Sequence, residues 1–291
     1  MSLVSSAARS TSTIAALLFL SACQTIAPTA APGSTATAAT GTPSHANLNS
    51  VLWYQTSAEF RANSIQTYNQ ARALLTAAKA DRSWTAWPQS AAAAQLPPAI
   101  IVDIDETILD NSPSAARDVL NNQQGFNDAQ WDNWVAAAKA EAVPGAVAFV
   151  NAAEAMGIKV LYISNRGCKA RDEKSSCPQK ADTINNLRAV GIHKVDDTQV
   201  WLKGEQPDWS SEKQSRRELA MQQYRVVMSV GDDFGDFLPN VKKDVTPAQR
   251  ATLVDQHQAL WGSKWFMLTN PTYGSWETIL AQPKQQYLRG F

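Results

Sequence analysis

Two short segments of this chain are rich in aspartate, and each follows a run of apolar residues. Asp103 and Asp105 close the segment AIIVDID, and Asp232 lies in GDDFGD, directly after VVMSV. Carboxylates that lie close together repel one another, and a hard cation such as Mg²⁺, which prefers oxygen ligands, relieves that repulsion. We therefore predict that Asp103, Asp105 and Asp232 bind Mg²⁺.

Such a site is suited to phosphoryl transfer. One aspartate can attack phosphorus to form an aspartyl phosphate, while the metal and a lysine offset charge on the phosphoryl oxygens. A second aspartate two residues away points to the same side of a strand end and can protonate the leaving alkoxide. Because that acid must be protonated in the first step, we expect an acidic pH optimum.

Other chemistries are less compatible with the sequence. The chain has no HExxH, GxSxG, Walker A or GxGxxG segment, which are typical of zincins, serine hydrolases, P-loop NTPases and dinucleotide enzymes. An EF-hand loop would need Gly where Ile108 stands. Each acidic segment taken alone could be a plain turn, but their positions after predicted strands favour a site.

The elements that position these residues follow from hydrophobic patterning. β-branched runs predict strands, and three- and four-residue apolar spacing predicts helices. The predicted strands are 99–105, 160–164, 226–230 and 265–268, with a weaker one at 199–202. The predicted helices are 48–80, 145–156, 178–189, 211–224 and one that opens at Thr246-Pro247. This alternation predicts an α/β fold with a parallel sheet, whose reactive residues lie beyond the carboxyl ends of the strands.

The motifs resemble a known family. DIDET, SNR and GDDFGD, with a lysine between the last two, are similar to the four motifs of haloacid-dehalogenase-type (HAD) phosphohydrolases. Much of residues 99–277 resembles the bacterial class C acid phosphatases. The resemblance implies a Rossmann-like parallel sheet with a smaller helical domain, formed by 48–80 and 111–142 within a catalytic domain of residues 47–291. It implies Mg²⁺-dependent hydrolysis of phosphomonoesters, with 5′-nucleotides as the expected substrates.

The resemblance also implies roles for single residues. Asp103 matches the nucleophile, and Asp105 matches the general acid/base, which also reaches Mg²⁺ through its backbone carbonyl. Ser164 matches the hydroxyl that binds the phosphoryl group, and Lys213 matches the third-motif lysine, with Lys203 as a competing candidate. The remaining two matches are metal-site residues, a direct ligand at Asp232 and a supporting carboxylate at Asp236.

The expected leaving-group pocket is less defined. Asn165 and Arg166 are expected to contact substrate. Four aromatic residues either stack on a flat leaving group or pack the helical domain: Trp131, Trp134, Tyr273 and Trp276. The chain departs from the family pattern at Ser114 and Thr269, near this pocket, which leaves nucleotide preference open. A catalytically silent surface-binding lipoprotein of the same fold is the alternative function.

The amino terminus predicts export. The apolar run Thr13–Ala22 is too short to span a bilayer and suits a signal peptide. Its end, LSAC, resembles a bacterial lipobox, so we predict removal of residues 1–22 and acylation of Cys23; an ordinary signal peptide is the alternative. Residues 23–46 form a low-complexity tether. We expect a lipid-anchored protein of the bacterial outer membrane, periplasmic or surface facing, that contacts the membrane through acyl chains.

Charge and cysteines restrict partners further. Lys+Arg and Asp+Glu both number 26, so a nucleic-acid polymer is not an expected partner. The expected partner is a small phosphomonoester, and a homodimer is compatible with the sequence. Once Cys23 is assigned to lipid, Cys168 and Cys177 form an even pair in an oxidising compartment, and we predict a disulfide between them; two unpaired buried thiols are the alternative.

Overall fold

The predicted apolar runs form one central parallel sheet in the computed structural model, which describes residues 45–291. Its strands follow the order β5-β4-β1-β6-β7, and every neighbouring pair is parallel. They are β1 (Pro98–Val102), β4 (Lys159–Gly167), β5 (Val200–Lys203), β6 (Arg225–Gly231) and β7 (Trp265–Met267). A two-stranded antiparallel ribbon joins β2 (Leu109–Asp110) to β3 (Glu141–Ala142). The predicted α/β fold is thereby confirmed. The predictions for the signal peptide, Cys23 and the tether up to residue 44 lie outside the described residues.

Helices cover the sheet and build the region around its carboxyl edge. In chain order they are α1 (Leu48–Thr56), α2 (Ala58–Ala80), α3 (Ser112–Leu120), α4 (Asp128–Ala137), α5 (Ala146–Ala155), α6 (Pro178–Ala189), α7 (Gln214–Gln223), α8 (Pro247–Gln256) and α9 (Ser275–Thr278). Short 3₁₀ turns occupy Ala91–Gln95, Phe234–Asp236 and Lys284–Tyr287. Within residues 45–291 no helix is long and apolar enough to cross a bilayer.

The single helix predicted over 48–80 is interrupted at Ser57. Ser57 has extended backbone angles, and its side chain accepts a hydrogen bond from the backbone N–H of Phe60. A serine hydroxyl that accepts from the third residue of a helix is an N-cap. Ser57 therefore ends α1 and starts α2, a break that the apolar periodicity does not reveal.

Two predicted boundaries also shift. β1 ends at Val102, so Asp103 and Asp105 lie in the loop beyond the strand. Helix α7 begins at Gln214 rather than at 211, and Lys213 occupies its N-cap position. Both shifts move chemically important residues from regular elements into the turns at the carboxyl edge of the sheet.

The core lies on both faces of the sheet. On one face α2 packs against α5, with the rings of Tyr68 and Phe149 5.5 Å apart. The Tyr68 hydroxyl reaches across to donate a 2.6 Å hydrogen bond to the backbone carbonyl of Thr107. On the other face the buried Trp265 contacts Phe237 and Trp261. The core on each face of the sheet therefore supports a loop of the carboxyl edge: Tyr68 contacts the loop after β1, and Trp265 contacts Phe237 in the segment after β6.

The segments predicted as a helical domain share one compact unit with the sheet. Helix α1 packs along α3, and α4 packs against α6. The β2-β3 ribbon closes the insertion that carries α3 and α4. The insertion thus begins and ends beside the loop after β1.

The predicted disulfide is confirmed. Cys168 and Cys177 are bonded and close the loop between β4 and α6. Within this loop Arg171 donates two hydrogen bonds to the carboxylate of Asp132 on α4, at 2.6 and 2.8 Å. It also pairs with Asp182 on α6 at 2.5 Å. The bridged loop therefore links α4 to α6.

Arg225 at the start of β6 connects the sheet to the end of α2. Its buried guanidinium donates to four backbone carbonyls, those of Ala78, Lys79, Asp81 and Trp84, at 2.8–2.9 Å. The last carbonyls of a helix have no partner within the helix. One side chain thus satisfies groups that burial would otherwise leave without hydrogen bonds.

We predict that Arg225→Met destabilises the protein by about 3 kcal/mol, because a buried unsatisfied carbonyl costs about 1–3 kcal/mol. Urea unfolding followed by circular dichroism measures the change. Arg72→Met, at an exposed position of the same helix, is the control and is expected to change stability by less than about 0.5 kcal/mol. Equal stability of the two variants would show that Arg225 does not cap α2.

Candidate active site

Three sequence segments meet at the carboxyl edge of the sheet because their strands are neighbours. Asp103 follows β1, Ser164 lies near the end of β4, and Asp232 follows β6. Strand β1 lies between β4 and β6, and the backbone N–H of Asp103 donates to the carbonyl of Val230 at 3.0 Å. The parallel arrangement thus brings together residues that are more than 60 positions apart in sequence.

Three carboxylates and one lysine form the centre of this edge. Asp103, Asp232 and Asp236 each place one oxygen within 4.8 Å of the others. The Lys213 ammonium lies 2.5 Å from an oxygen of Asp103 and 2.6 Å from an oxygen of Asp236. The side chain of Lys213 is only 5% exposed. This lysine, rather than Lys203 at the end of β5, is therefore the one that contacts the carboxylate cluster.

Burial and mutual repulsion act on the ionisation of these groups. Burial, together with the carboxylates of Asp236 and Asp105, raises the pKa of Asp103 to about 6 against the lowering effect of Lys213. Burial, followed by the charges of Asp103 and Asp236, raises the pKa of Asp232 well above its usual range. Burial alone would lower the pKa of Lys213, but Asp103 and Asp236 raise it above the ordinary lysine value. The cluster thus holds more negative charge than one ammonium can offset.

The cluster fits a divalent cation. Its three carboxylates and one ammonium would carry a net charge of about minus two if all were ionised. Carboxylate oxygens are the ligand type that Mg²⁺ prefers. Asp103, Asp232 and Asp236 are thus the residues that could hold such an ion.

Asp232 is oriented by residues that the sequence did not single out. Its carboxylate accepts hydrogen bonds from the Thr107 hydroxyl at 3.0 Å and from the Asn270 amide at 2.8 Å. The amide oxygen of Asn270 accepts in turn from the backbone N–H of Thr272 at 3.0 Å. Outer partners of this kind orient metal ligands. Thr107 lies within the DIDET motif, but no local pattern indicates Asn270.

Asp236 approaches the cluster over a glycine. A Cβ built on Gly231 would lie 2.3 Å from a carboxylate oxygen of Asp236, closer than nonbonded atoms can come. The turn that carries Asp236 is capped by Asp233, whose side chain accepts from the Gly235 N–H at 2.8 Å. Arg217 on α7 donates to the Gly235 carbonyl at 3.0 Å. Gly231 therefore leaves the space that Asp236 occupies.

Asp105 lies outside the carboxylate cluster. Its carboxylate pairs with Arg166 at 2.8 Å and accepts from the Asn111 amide at 2.9 Å. The Ser164 hydroxyl is 3.3 Å from its other oxygen. The sequence places Asp105 among the metal-binding residues, but these donors turn its side chain toward Arg166. Any contribution of Asp105 to a metal site is therefore left to its backbone carbonyl.

In the SNR segment, Ser164 and Arg166 contact the site residue Asp105, whereas Asn165 contacts the loop before α7 and α7 itself. Ser164 is buried and accepts from the backbone N–H of Arg166 at 3.0 Å. The Asn165 side chain accepts from Arg216 at 2.9 Å and donates to the Ser211 carbonyl at 3.1 Å. The hydrogen bonds of Asn165 thus tie β4 to the loop before α7. Its predicted contact with substrate stays a prediction.

A cavity of about 270 Å³ adjoins Arg166. Trp131 and Val135 of α4 line it together with Arg166, Lys169 and Arg171, and other lining residues include Asp128, Asp132 and Gln179. The Arg166 guanidinium lies 5.9 Å from the centre of the Trp131 ring. The wall of this cavity on the α4 side is held by the bridged loop through the Arg171–Asp132 ion pair.

The other predicted aromatic residues have different surroundings. Trp134 donates its indole N–H to the Asn111 side chain at 2.7 Å and so contacts the segment that follows the β1 loop. Tyr273 is 43% exposed, and its hydroxyl donates to Glu106. Trp276 is 44% exposed and donates to the Tyr273 carbonyl at 3.1 Å. Of these rings, Tyr273 and Trp276 present open surface.

Glu106 is a site residue to which the sequence assigned no role. It is buried next to Asp105 and has a left-handed backbone with φ 57°. Burial, followed by the charge of Asp105, raises its pKa well above the usual glutamate value. Its carboxyl accepts from the Asn111 N–H at 2.8 Å and from Tyr273. Glu106 thus connects the loop after β1 to the Tyr273 segment.

Comparison with known proteins places the sequence in a family. The sequence model for "HAD superfamily, subfamily IIIB (Acid phosphatase)" matches residues 11–276. Among curated proteins, the Stem 31 kDa glycoprotein of Glycine max is 30% identical over 142 residues, covering 47% of this chain and 51% of that protein. The Stem 28 kDa glycoprotein of Glycine max is 29% identical over 143 residues, covering 47% and 52%. The match therefore spans about half the length of these curated relatives.

Solved structures are similar over more of the chain. The class C acid phosphatase from Bacillus anthracis is 32% identical with a TM-score of 0.70, covering 84% of this chain and 97% of that one. A structure of the class C acid phosphatase from Bacillus anthracis with tungstate bound is 30% identical with a TM-score of 0.71, covering 86% and 99%. Both similarities extend over nearly the whole of those proteins.

We predict that Gly231→Ala lowers Mg²⁺ affinity about 10- to 100-fold, because the added Cβ displaces Asp236. Isothermal titration with Mg²⁺ measures the affinity. Gly167→Ala is the matched control, since the nearest atom to a Cβ there is 3.8 Å away. If Gly231→Ala bound Mg²⁺ with unchanged affinity, Asp236 would not contribute to metal binding.

Proposed function

The chain belongs to subfamily IIIB (acid phosphatase) of the HAD superfamily, and we propose that it is a Mg²⁺-dependent phosphomonoester hydrolase that uses 5′-nucleotides. The observation that carries this proposal is the cluster of Asp103, Asp232 and Asp236 around Lys213 at the carboxyl edge of the sheet. A phosphoryl group bound at this edge would lie next to both the carboxylate of Asp103, as nucleophile, and the buried ammonium of Lys213.

Asp103, Asp232 and Asp236 would hold the metal ion. When bound, a divalent cation supplies positive charge to the phosphoryl oxygens and lessens repulsion between the phosphate and the attacking carboxylate. Thr107 and Asn270 keep Asp232 oriented toward the cluster. Lys213 neutralises part of the charge of Asp103 and Asp236 and donates hydrogen bonds.

Asp103 is the proposed nucleophile. Its carboxylate oxygen attacks phosphorus, the bond from phosphorus to the leaving oxygen breaks, and an aspartyl phosphate forms. Lys213 lies close enough to Asp103 to hold one carboxylate oxygen and leave the other for attack. The Ser164 hydroxyl, buried at the end of β4, would donate to the phosphoryl group.

Asp105 is the proposed acid and base. In its acid form it donates a proton to the leaving alkoxide as the ester bond breaks. It then takes a proton from the water that attacks the aspartyl phosphate, which releases inorganic phosphate and restores Asp103. Arg166 holds the Asp105 carboxylate in the structure, so we infer that substrate attracts this guanidinium and frees the carboxyl group.

A solved neighbour has been determined with an oxyanion bound. The Bacillus anthracis structure contains tungstate, a tetrahedral oxyanion that resembles phosphate. In this chain Lys213 donates to the proposed nucleophile Asp103, and Arg166 and the Ser164 hydroxyl donate to Asp105. Donors of this type are suited to binding phosphoryl oxygens.

The cavity beside Arg166 is the proposed site of the leaving group. The Trp131 indole in its wall offers a flat surface on which a nucleobase can stack. Tyr273 and Trp276 offer further exposed aromatic surface. These features favour a flat leaving group over a small aliphatic alcohol.

We also propose that the protein is lipid-anchored in the outer membrane through Cys23. The support is sequence alone: a short apolar run followed by LSAC and a low-complexity tether. The homodimer stays a prediction. A silent binding protein of the same fold is disfavoured because the proposed nucleophile, acid, hydroxyl, lysine and metal ligands are all present in the chain.

We predict that Asp103→Asn reduces hydrolysis of p-nitrophenyl phosphate by at least about 1,000-fold, because an amide is a poor nucleophile at phosphorus. Initial rates with Mg²⁺ and with EDTA measure the effect. Asp255→Asn, at an exposed position of α8, is the control and is expected to retain full activity. Wild-type rates in Asp103→Asn would exclude the aspartyl-phosphate route, and activity in EDTA would exclude the metal.

We predict that Trp131→Ala raises KM about 10-fold for nucleoside 5′-monophosphates and leaves KM for glycerol phosphate within about 2-fold, since stacking contributes about 0.5–1.5 kcal/mol. Steady-state kinetics on both substrates measure the selectivity. Trp276→Ala serves as a comparison for the second aromatic surface. Equal effects of Trp131→Ala on both substrates would argue that Trp131 only packs.

A further inference from the structure

Two large apolar side chains project from the last residue of α3 and from the loop between α3 and α4. Leu120 is 84% exposed and Phe126 is 74% exposed. Residues 119–127 contain no charged residue. Large apolar side chains this exposed on a neutral loop cost solvation free energy unless something covers them.

The described chain enters the fold beside this loop. The His45 ring forms a 2.7 Å hydrogen bond with the backbone carbonyl of Gln123. At the opposite end of α1, the Gln55 amide donates to the Ser112 hydroxyl at 3.2 Å. Helix α1 therefore runs antiparallel along α3, and the entry point lies at the end of α3 that is far from Asp105.

We propose that the loop 120–126 inserts Leu120 and Phe126 into the apolar layer of the membrane to which the chain is tethered. This rests on the proposed acylation of Cys23 and is independent of the proposed catalysis. His45, which bonds to this loop, lies only 22 positions after Cys23, and 22 residues span at most about 75 Å, so the loop cannot be carried far from the lipid. Two apolar side chains are too few to hold a free protein on a bilayer, but tethering raises their effective concentration at the surface.

The neutral loop selects a lipid surface by apolar contact and not by headgroup charge. Contact is therefore expected on uncharged phosphatidylcholine and should be insensitive to salt. It would also set the height of the reaction centre. Helix α3 has nine residues and rises about 12 Å from Leu120 to Ser112, whose neighbour Asn111 contacts Asp105. The inserted residues would thus be separated from Asp105 by the length of α3, while the Phe126 ring lies 6.2 Å from that of Trp131 in the cavity wall.

Hydrogen–deuterium exchange with mass spectrometry tests the proposal on the full chain. The acylated protein is reconstituted at low density in phosphatidylcholine vesicles and compared with Cys23→Ser protein added to the same vesicles. We expect peptides covering 118–128 to exchange at least about 3-fold more slowly in the acylated protein, while α8 is unchanged. The double variant Leu120→Ser/Phe126→Ser should lose this protection, whereas Leu288→Ser, which alters another exposed leucine, should keep it.

Several results would overturn the proposal. These are an unprotected loop in the acylated protein, equal protection in the double variant, or protection that grows with protein density and so reports a second copy. Mass spectrometry that finds no acyl chain on Cys23 would also overturn it. Thermal unfolding of the double variant checks that it folds. None of these readouts uses phosphatase activity, so failure here is distinguishable from failure of the proposed function.

Discussion

Repulsion among buried carboxylates is the constraint on which the rest of this structure depends. Asp103, Asp232 and Asp236 converge in a region from which water is largely excluded, and the Lys213 ammonium contacts two of them, Asp103 and Asp236. Such an arrangement persists only if the surrounding fold holds each group in place. The parallel sheet does this because β1 and β6 are adjacent paired strands, in register from Ile100 to Val102, so their carboxyl ends cannot move apart independently.

Side chains around the cluster attach its carboxylates to several other elements of the fold. Arg217 attaches the turn of Asp236 to α7, which carries Lys213 at its start. Asn270 attaches Asp232 to the segment after β7. A second group of contacts, from Arg166 and Asn111, holds Asp105 apart from the cluster. The separation gives the two aspartates of the first motif different surroundings, which is what distinct chemical roles require.

The sequence alone predicted the features that depend on the periodicity of apolar residues and on the order of strands along the chain. Apolar runs located the five parallel strands, and the parallel connection rule placed Asp103, Ser164 and Asp232 at one edge. The break at Ser57 was missed because a single capping hydroxyl interrupts an otherwise continuous helical pattern. Asn270 and Glu106 were missed because their roles arise from hydrogen bonds between segments distant in sequence. The orientation of Asp105 toward Arg166 depends in the same way on tertiary contacts.

The disulfide between Cys168 and Cys177 can form only in an oxidising compartment, which affects where the protein completes its fold. The loop that it closes carries Arg171, which fixes α4 and with it the Trp131 wall. If the leader directs export as the sequence predicts, a newly made chain passes through a reducing cytosol before this loop can close. The Trp131 wall of the cavity would then be fixed by this loop only after arrival in the oxidising envelope.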